Sequence, residues 1–156
     1  MIPYAFLFYT ILFSEIDKYS GIWQDWLCMQ IENGAEIEPW MMCLAENPLK
    51  YDTTFNTRIE NERKALGDYN FNNIYVLAAG FAWKMFKAGK VSAKEIYDTI
   101  DHYWEDMGTY VYMLAEEPSN TEIIRKLEKE LAYPEQLFEK YIWKRIPQET
   151  WGLFIE

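Results

Sequence analysis

The sequence predicts an all-α fold, a bundle of about seven or eight helices built from antiparallel helical hairpins in one domain spanning residues 1–156. Three observations predict it. The stretch Phe71 to Gly89 carries helix-forming apolar residues on every face, the pattern of a helix surrounded by others. Ser or Thr followed three residues later by Glu recurs at Thr57/Glu60, Ser92/Glu95 and Ser119/Glu122, the spacing at which two side chains satisfy the free N–H groups of a helix start. Gly34, Gly67 and Gly89 stand where such segments should stop, and Pro39 and Pro134 where they should begin. An α+β fold with short terminal strands is the alternative, because the opening run is rich in residues that also favour extended chain.

A chain of 156 residues buries roughly two thirds of its unfolded surface, so it folds without metals or disulfides. Half of its residues are apolar and 18% are aromatic, which predicts a core built from large rings. Cys28 and Cys43 are too few for a disulfide scaffold and lie among apolar neighbours, as reduced structural thiols do. The run Met1 to Phe13 lacks the basic start and small-residue cleavage site of a signal peptide and is too short to span a bilayer, so it reads as a core element.

Taken in order, Ile2 to Phe13 is a buried helix with Pro3 in its first turn, and Ser14 opens a short turn that Gly21 ends. Ile22 to Asn33 is a helix with Ile22, Trp23, Trp26, Leu27 and Ile31 on its inner side. Pro39 starts the next, with Ile37 placed to staple against Met42 and Asn47-Pro48 as its end. Pro48 to Phe55 reads as a loop, and Thr57 to Leu66 as a short polar helix on the surface. The central helix follows, capped by Asn70 and closed by Gly89, with Ala78, Ala79, Gly80 and Ala82 leaving room for a partner helix.

Ser92/Glu95 opens a helix from Ala93 to about Asp106, which pairs with the central helix as a hairpin. Thr109 to Glu116 reads as a short helix or a strand. Ser119/Glu122 opens a helix ending at Tyr133, and Pro134 starts the last one, which stops before Pro147. The segment Thr150 to Glu156 is apolar enough to dock.

Catalytic signatures are missing. There is no Gly-rich phosphate loop, no Gly-x-Ser-x-Gly elbow and no Cys-x-x-Cys pair, and His102 is the single histidine, so no cofactor is expected. Asp98, His102 and Glu105 have the spacing to share one helix face and hold a divalent cation, which makes a small helical metal-dependent enzyme one reading. A solvated acidic helix face with a histidine in it explains the same spacing. Lys84, Lys87, Lys90 and Lys94 form one basic cluster, and its first two members sit where cations stabilise a helix C-terminus.

Charge placement is the stronger signal. The net charge is -10, which disfavours nucleic acid and anionic membrane surfaces as partners. Between Glu95 and Ile124 stand eight acids and no Lys or Arg. Ile96, Ile100, Tyr103 and Met107 form the inward stripe of this region, which turns Glu95, Asp98, Asp101 and Glu105 to water. A patch of one sign is costly in self-repulsion, and a cationic partner relieves it. The predicted contact set is therefore Glu95, Asp98, Asp101, Glu105, Asp106, Glu116 and Glu117, with Trp104, Tyr110 and Tyr112 as aromatic anchors. A second acid group, Glu32, Glu36 and Glu38, lies beside Trp40.

In size, acidity, helical character and lack of catalytic groups, the whole chain resembles the immunity proteins of bacterial toxin–immunity systems, including contact-dependent growth inhibition. The resemblance implies a cytoplasmic protein without enzymatic activity that binds one cognate toxin, often a basic nuclease. On that reading the contact set above meets the toxin. A phage-type inhibitor or nucleic-acid mimic directed at a host protein has the same electrostatics and is the other binding reading.

Overall fold

A computed structural model of the chain describes residues 1–46, 52–67 and 73–155. Among these residues run nine α-helices and no strand: α1 (Tyr4–Ser14), α2 (Ile22–Glu32), α3 (Pro39–Ala45), α4 (Thr53–Ala65), α5 (Ile74–Lys87), α6 (Ala93–Tyr103), α7 (Glu105–Glu116), α8 (Thr121–Tyr141) and α9 (Gln148–Ile155). Short 3-10 turns lie at Asp17–Tyr19 and Trp143–Arg145. The all-α reading holds, and the strand alternative for the opening run and for Thr109–Glu116 does not.

Helix α5 is the element the others surround. Ten of its 14 residues are buried, and α1, α6 and α8 all pack on it. Its expected cap Asn70 lies outside the described residues, and Asn73 precedes the first turn instead. At the other end Gly89 adopts φ 74, and the N–H of Lys90 donates to the Met85 carbonyl at 3.0 Å, the closure that a left-handed glycine permits. Lys84 and Lys87 do more there than complement a helix dipole. Lys84 pairs with Glu139 at 2.8 Å, and Lys87 with Glu135 at 2.6 Å and Glu128 at 3.2 Å, so these two members of the basic cluster tie α5 to α8.

The α5–α8 contact explains the largest departure from the predicted elements. Pro134 was expected to start a helix, yet it lies buried inside one continuous helix of 21 residues. Its carbonyl group rests on Gly80 so closely that a Cβ at Gly80 would come within 2.7 Å of the Pro134 carbonyl carbon. Leu127, Leu131, Pro134, Phe138 and Tyr141 continue one buried stripe at helical spacing across the proline. The start of α8 also differs, since Asn120 rather than Ser119 accepts the Ile123 N–H, at 3.2 Å.

Other boundaries shift for local reasons. Helix α4 begins at Thr53 because the Asp52 carboxylate accepts the Phe55 N–H at 2.8 Å, a stronger cap than the expected Thr57. It is the polar surface helix expected, and its inner side buries Phe55, Ile59 and Glu62. Ser14 ends α1, donating to the Ile11 carbonyl, rather than opening the next turn. Ile31 is 56% exposed because α2 turns Ile22, Trp23, Trp26 and Leu27 inward, and the same orientation leaves Cys28 exposed. Met41 rather than Met42 is the buried methionine of α3. At the C-terminal end α9 docks as expected, with Trp151 stacked on Trp143 at 3.8 Å and Phe154 against Phe81 at 5.9 Å.

The one buried carboxyl group among the described residues, Glu62, pins α4 to the start of α1, accepting N–H bonds from Phe6 at 2.8 Å and Ala5 at 3.2 Å and an Arg58 bond at 2.9 Å. Burial pushes its pKa up to about 7, against the opposing pull of the Phe6 N–H, Arg58 and the Ala5 N–H.

Two predictions follow from this packing. Gly80→Ala should lower stability by about 1 to 3 kcal/mol, because the backbone of α8 must move aside. Its urea unfolding midpoint should fall, and an unchanged midpoint would mean that the two helices do not meet there. For Glu62 the folded pKa lies above the unfolded one, so its contribution is greatest below about pH 4.5 and is lost as pH rises through about 7. Stability measured between pH 5 and 8 should decline partly for this reason, on the order of 1 to 3 kcal/mol. Glu62→Gln, which does not titrate, should flatten that slope, whereas an unaltered slope would assign the pH dependence to other groups.

Candidate functional site

The acidic region is organised by a break that the sequence reading did not anticipate. Helix α6 opens with the expected box, in which Ser92 Oγ accepts the Glu95 N–H and Glu95 Oε1 accepts the Ser92 N–H, each at 3.2 Å. It then stops at Tyr103, not Asp106. Trp104 is extended, at φ -157 and ψ 111, and serves both helices: its N–H donates to the Ile100 carbonyl at 2.9 Å, and its own carbonyl accepts the Met107 N–H at 2.9 Å. Glu105 and Asp106 thereby occupy the first turn of α7, where the helix dipole favours acids.

The chain doubles back at this point. Tyr97 meets Tyr112 edge-on at 6.1 Å, and Asp101 packs on Gly108, where a Cβ would lie 2.8 Å from the Asp101 Cβ. Rising numbers on α6 meet falling numbers on α7, so the two helices form an antiparallel hairpin with Trp104 at its apex. Ile96, Ile100 and Met107 are buried beneath it as expected, with Tyr103 half-buried.

The predicted contact residues divide between two faces of this hairpin. Glu105, Tyr112 and Glu116 recur at helical spacing on the outer face of α7, on the side where Tyr97 of α6 packs; Asp98 lies on the exposed side of α6. Trp104 is 42% exposed and Tyr112 58% exposed. Asp106, Tyr110, Met113 and Glu117 recur on the other face, toward α8. There Trp104, Asp106, Tyr110 and Met113 border a groove of about 590 Å³ whose far wall is Lys126 and Glu130 of α8. Glu95 is engaged in its helix cap, and Glu117 accepts from Asn120 Nδ2 at 3.0 Å.

Two expected contacts are corrected. Asp101 does not stand in water beside Glu105, because its carboxylate is half-buried in the seam against Gly108. Tyr110 lies toward α8, where the Lys126 ammonium is 4.2 Å from its ring centre. The hydrogen bond with Tyr110 raises the Lys126 pKa. Arg125 and Lys129 line a second groove of about 610 Å³ with Tyr110, Lys126, Glu122 and Glu130, so α8 presents charges of both signs beside the acidic surface. Met113, 45% exposed in the groove beside α8, is an exposed apolar residue that sequence reasoning missed; its signal was its place three residues after Tyr110.

The metal reading fares poorly in this geometry. The break at Trp104 takes Glu105 off the helix that carries Asp98 and His102, and the His102 ring packs 5.8 Å from Tyr75 of α5. Among the described residues, no group of three His, Cys, Asp or Glu side chains is placed to hold a metal ion. No described helix is long and apolar enough to cross a membrane. Compared with known protein families, curated proteins and solved structures, the chain matches none of them.

Proposed function

We propose that this chain is a binding protein that engages a basic protein partner through the outer face of the α6–α7 hairpin, acting as the immunity protein of a cognate toxin in the cytoplasm. One observation carries the reading. The turn at Trp104 sets two helices side by side, so that exposed acids, Asp98 of α6 and Glu105 and Glu116 of α7, share the hairpin with the exposed rings of Trp104 and Tyr112, in a stretch with no Lys or Arg from Glu95 to Ile124.

Each part has a physical role. Exposed acids of one sign steer a cationic surface into contact and raise its association rate, but add little to lifetime because water screens them. Large rings that lose water at the centre of an interface slow dissociation. Acid without exposed aromatic surface lacks the second part, and the Glu38 region is of that kind: Trp40 is buried under Arg58, which lies 5.0 Å from its ring centre, and its Nε1 donates to Glu38 at 3.1 Å. A basic nuclease toxin fits the first role well, since its substrate site already recognises clustered negative charge.

The test is a triple reversal, Asp98→Lys, Glu105→Lys and Glu116→Lys, with Asp101 left alone because it is packed. Binding to a basic toxin domain encoded beside this chain should associate about tenfold or more slowly at low salt, with the helical circular dichroism unchanged. Wild-type association should itself slow as ionic strength rises, exposed charges being screened over about 8 Å at physiological salt. A folded triple variant that associates as fast as wild type and still protects cells would refute the hairpin as the interface.

A further inference from the structure

Trp104 is the one exposed tryptophan of the seven in the chain, and it borders the groove of about 590 Å³ between α7 and α8. Among the described residues no cation lies over its ring. Two other tryptophans are covered: Arg58 lies 5.0 Å from the Trp40 ring centre and pairs with Glu62 at 2.9 Å, and Lys84 lies 4.5 Å from the Trp143 ring centre and pairs with Glu139 at 2.8 Å. Ring, cation and acid recur together. The groove itself holds a third case in Tyr110, which the Lys126 ammonium covers at 4.2 Å, with Glu130 one helical turn further along α8.

At Trp104 the ring and the acids are present without the cation. Asp106 is exposed in the first turn of α7 and lines the same groove as Glu130, and neither carboxylate has a hydrogen bond or ion pair among the described residues. Glu130 also stands near the apex, since it adds to burial and Tyr133 in raising the Tyr103 pKa. Two acids against Lys126 leave the lining one positive charge short of neutral, and Arg125 and Lys129 line the neighbouring groove rather than this one. Met113, 45% exposed, offers apolar surface to the stem of a long cationic side chain. A guanidinium group suits this arrangement better than an ammonium group, because it is planar, stacks flat on an indole and carries five N–H donors for acids at the edge of the ring.

We propose that the groove at the hairpin apex seats one arginine side chain of the basic partner, stacked on Trp104 with its charge met by Asp106 and Glu130. This rests on the reading of the hairpin as the binding surface and adds to it the residue that the partner must present. Tryptophan and arginine are the side chains most enriched among those that dominate the lifetime of a complex.

The test uses the full chain, isotopically labelled for amide and indole NMR, with N-acetylarginine methylamide, its lysine counterpart and its citrulline counterpart, which has the shape of arginine without the charge. A tetralysine peptide reports separately on the outer acidic face. The arginine compound should shift the Trp104 indole N–H and the Asp106 and Met113 amides, binding about tenfold more tightly than citrulline and about threefold more tightly than lysine. Trp104→Leu should abolish the preference over lysine, and Asp106→Asn combined with Glu130→Gln should weaken arginine binding about threefold or more while leaving citrulline as it was. Lysine or citrulline binding as tightly as arginine, or arginine shifts confined to other residues, would overturn the inference, and tetralysine shifts at Asp98, Glu105 and Glu116 would then leave the charge-based surface standing. An arginine preference that survives in both folded variants would place the contact elsewhere and overturn it too. No response to any of the four probes would count against both the seat and the surface.

Discussion

The fold depends on the approach of two backbones, α5 at Gly80 and α8 at Pro134. With no Cβ at Gly80, the Pro134 carbonyl lies against the helix itself, and Phe138 one turn on reaches Phe81 at 5.6 Å. That contact explains why α8 does not break at its proline. A proline inside a helix costs roughly 3 kcal/mol, and each fully buried large apolar side chain returns about 1.5 to 3 kcal/mol. Leu127, Leu131 and Phe138, all fully buried on the same stripe, outweigh the penalty together, and they stay buried only if the helix runs on. Beyond the contact, the Lys84 and Lys87 ion pairs with Glu139, Glu135 and Glu128 hold the register, and Trp83 adds an indole bond to Glu128 at 2.9 Å.

Much of this was legible because local chemistry and global packing agree. The all-round apolar pattern of α5, the Ser92/Glu95 box and the left-handed glycines at 34, 67 and 89 are local signals that the fold leaves in place. The failures occur where a distant partner decides. Pro134 reads as a helix start by every local rule, and only Gly80, 54 positions earlier, makes it a helix interior. Glu62 likewise reads as a surface acid, yet it is 1% exposed because it meets the free N–H groups of α1. Neither contact leaves a trace in the residues next to it.

The candidate surface was legible to the same depth. Its composition could be read directly: acids without bases, interleaved with aromatic rings. Its shape could not, because the stop at Trp104 uses neither Gly nor Pro. The signals it does use are weaker ones, two acids suited to a helix first turn and a glycine at 108 that lets Asp101 and its helix come close. Taken as one helix, Asp98, Asp101 and Glu105 share a face. Taken as a hairpin, they separate into an exposed residue, a seam residue and a member of the next helix.

Charge segregation between neighbouring helices gives the surface a direction. Glu128, Glu135 and Glu139 of α8 face the lysines of α5, so these three acids are engaged in holding the bundle. What α8 presents beside α7 is Arg125, Lys126 and Lys129 together with Glu122 and Glu130, in a groove that Tyr110 also lines. On the proposed reading, a cationic partner drawn toward Asp98, Glu105 and Glu116 would meet three cations among the charges of α8 if it slid that way, and like charges brought together are costly. Screening limits both effects to about 8 Å, shorter than the roughly 16 Å length of α6, so attraction and repulsion act on different parts of the same approaching surface. On the proposed reading, the hairpin would favour one orientation of its partner as well as one sign of charge, with the open side running from Trp104 past Tyr112 to Glu116.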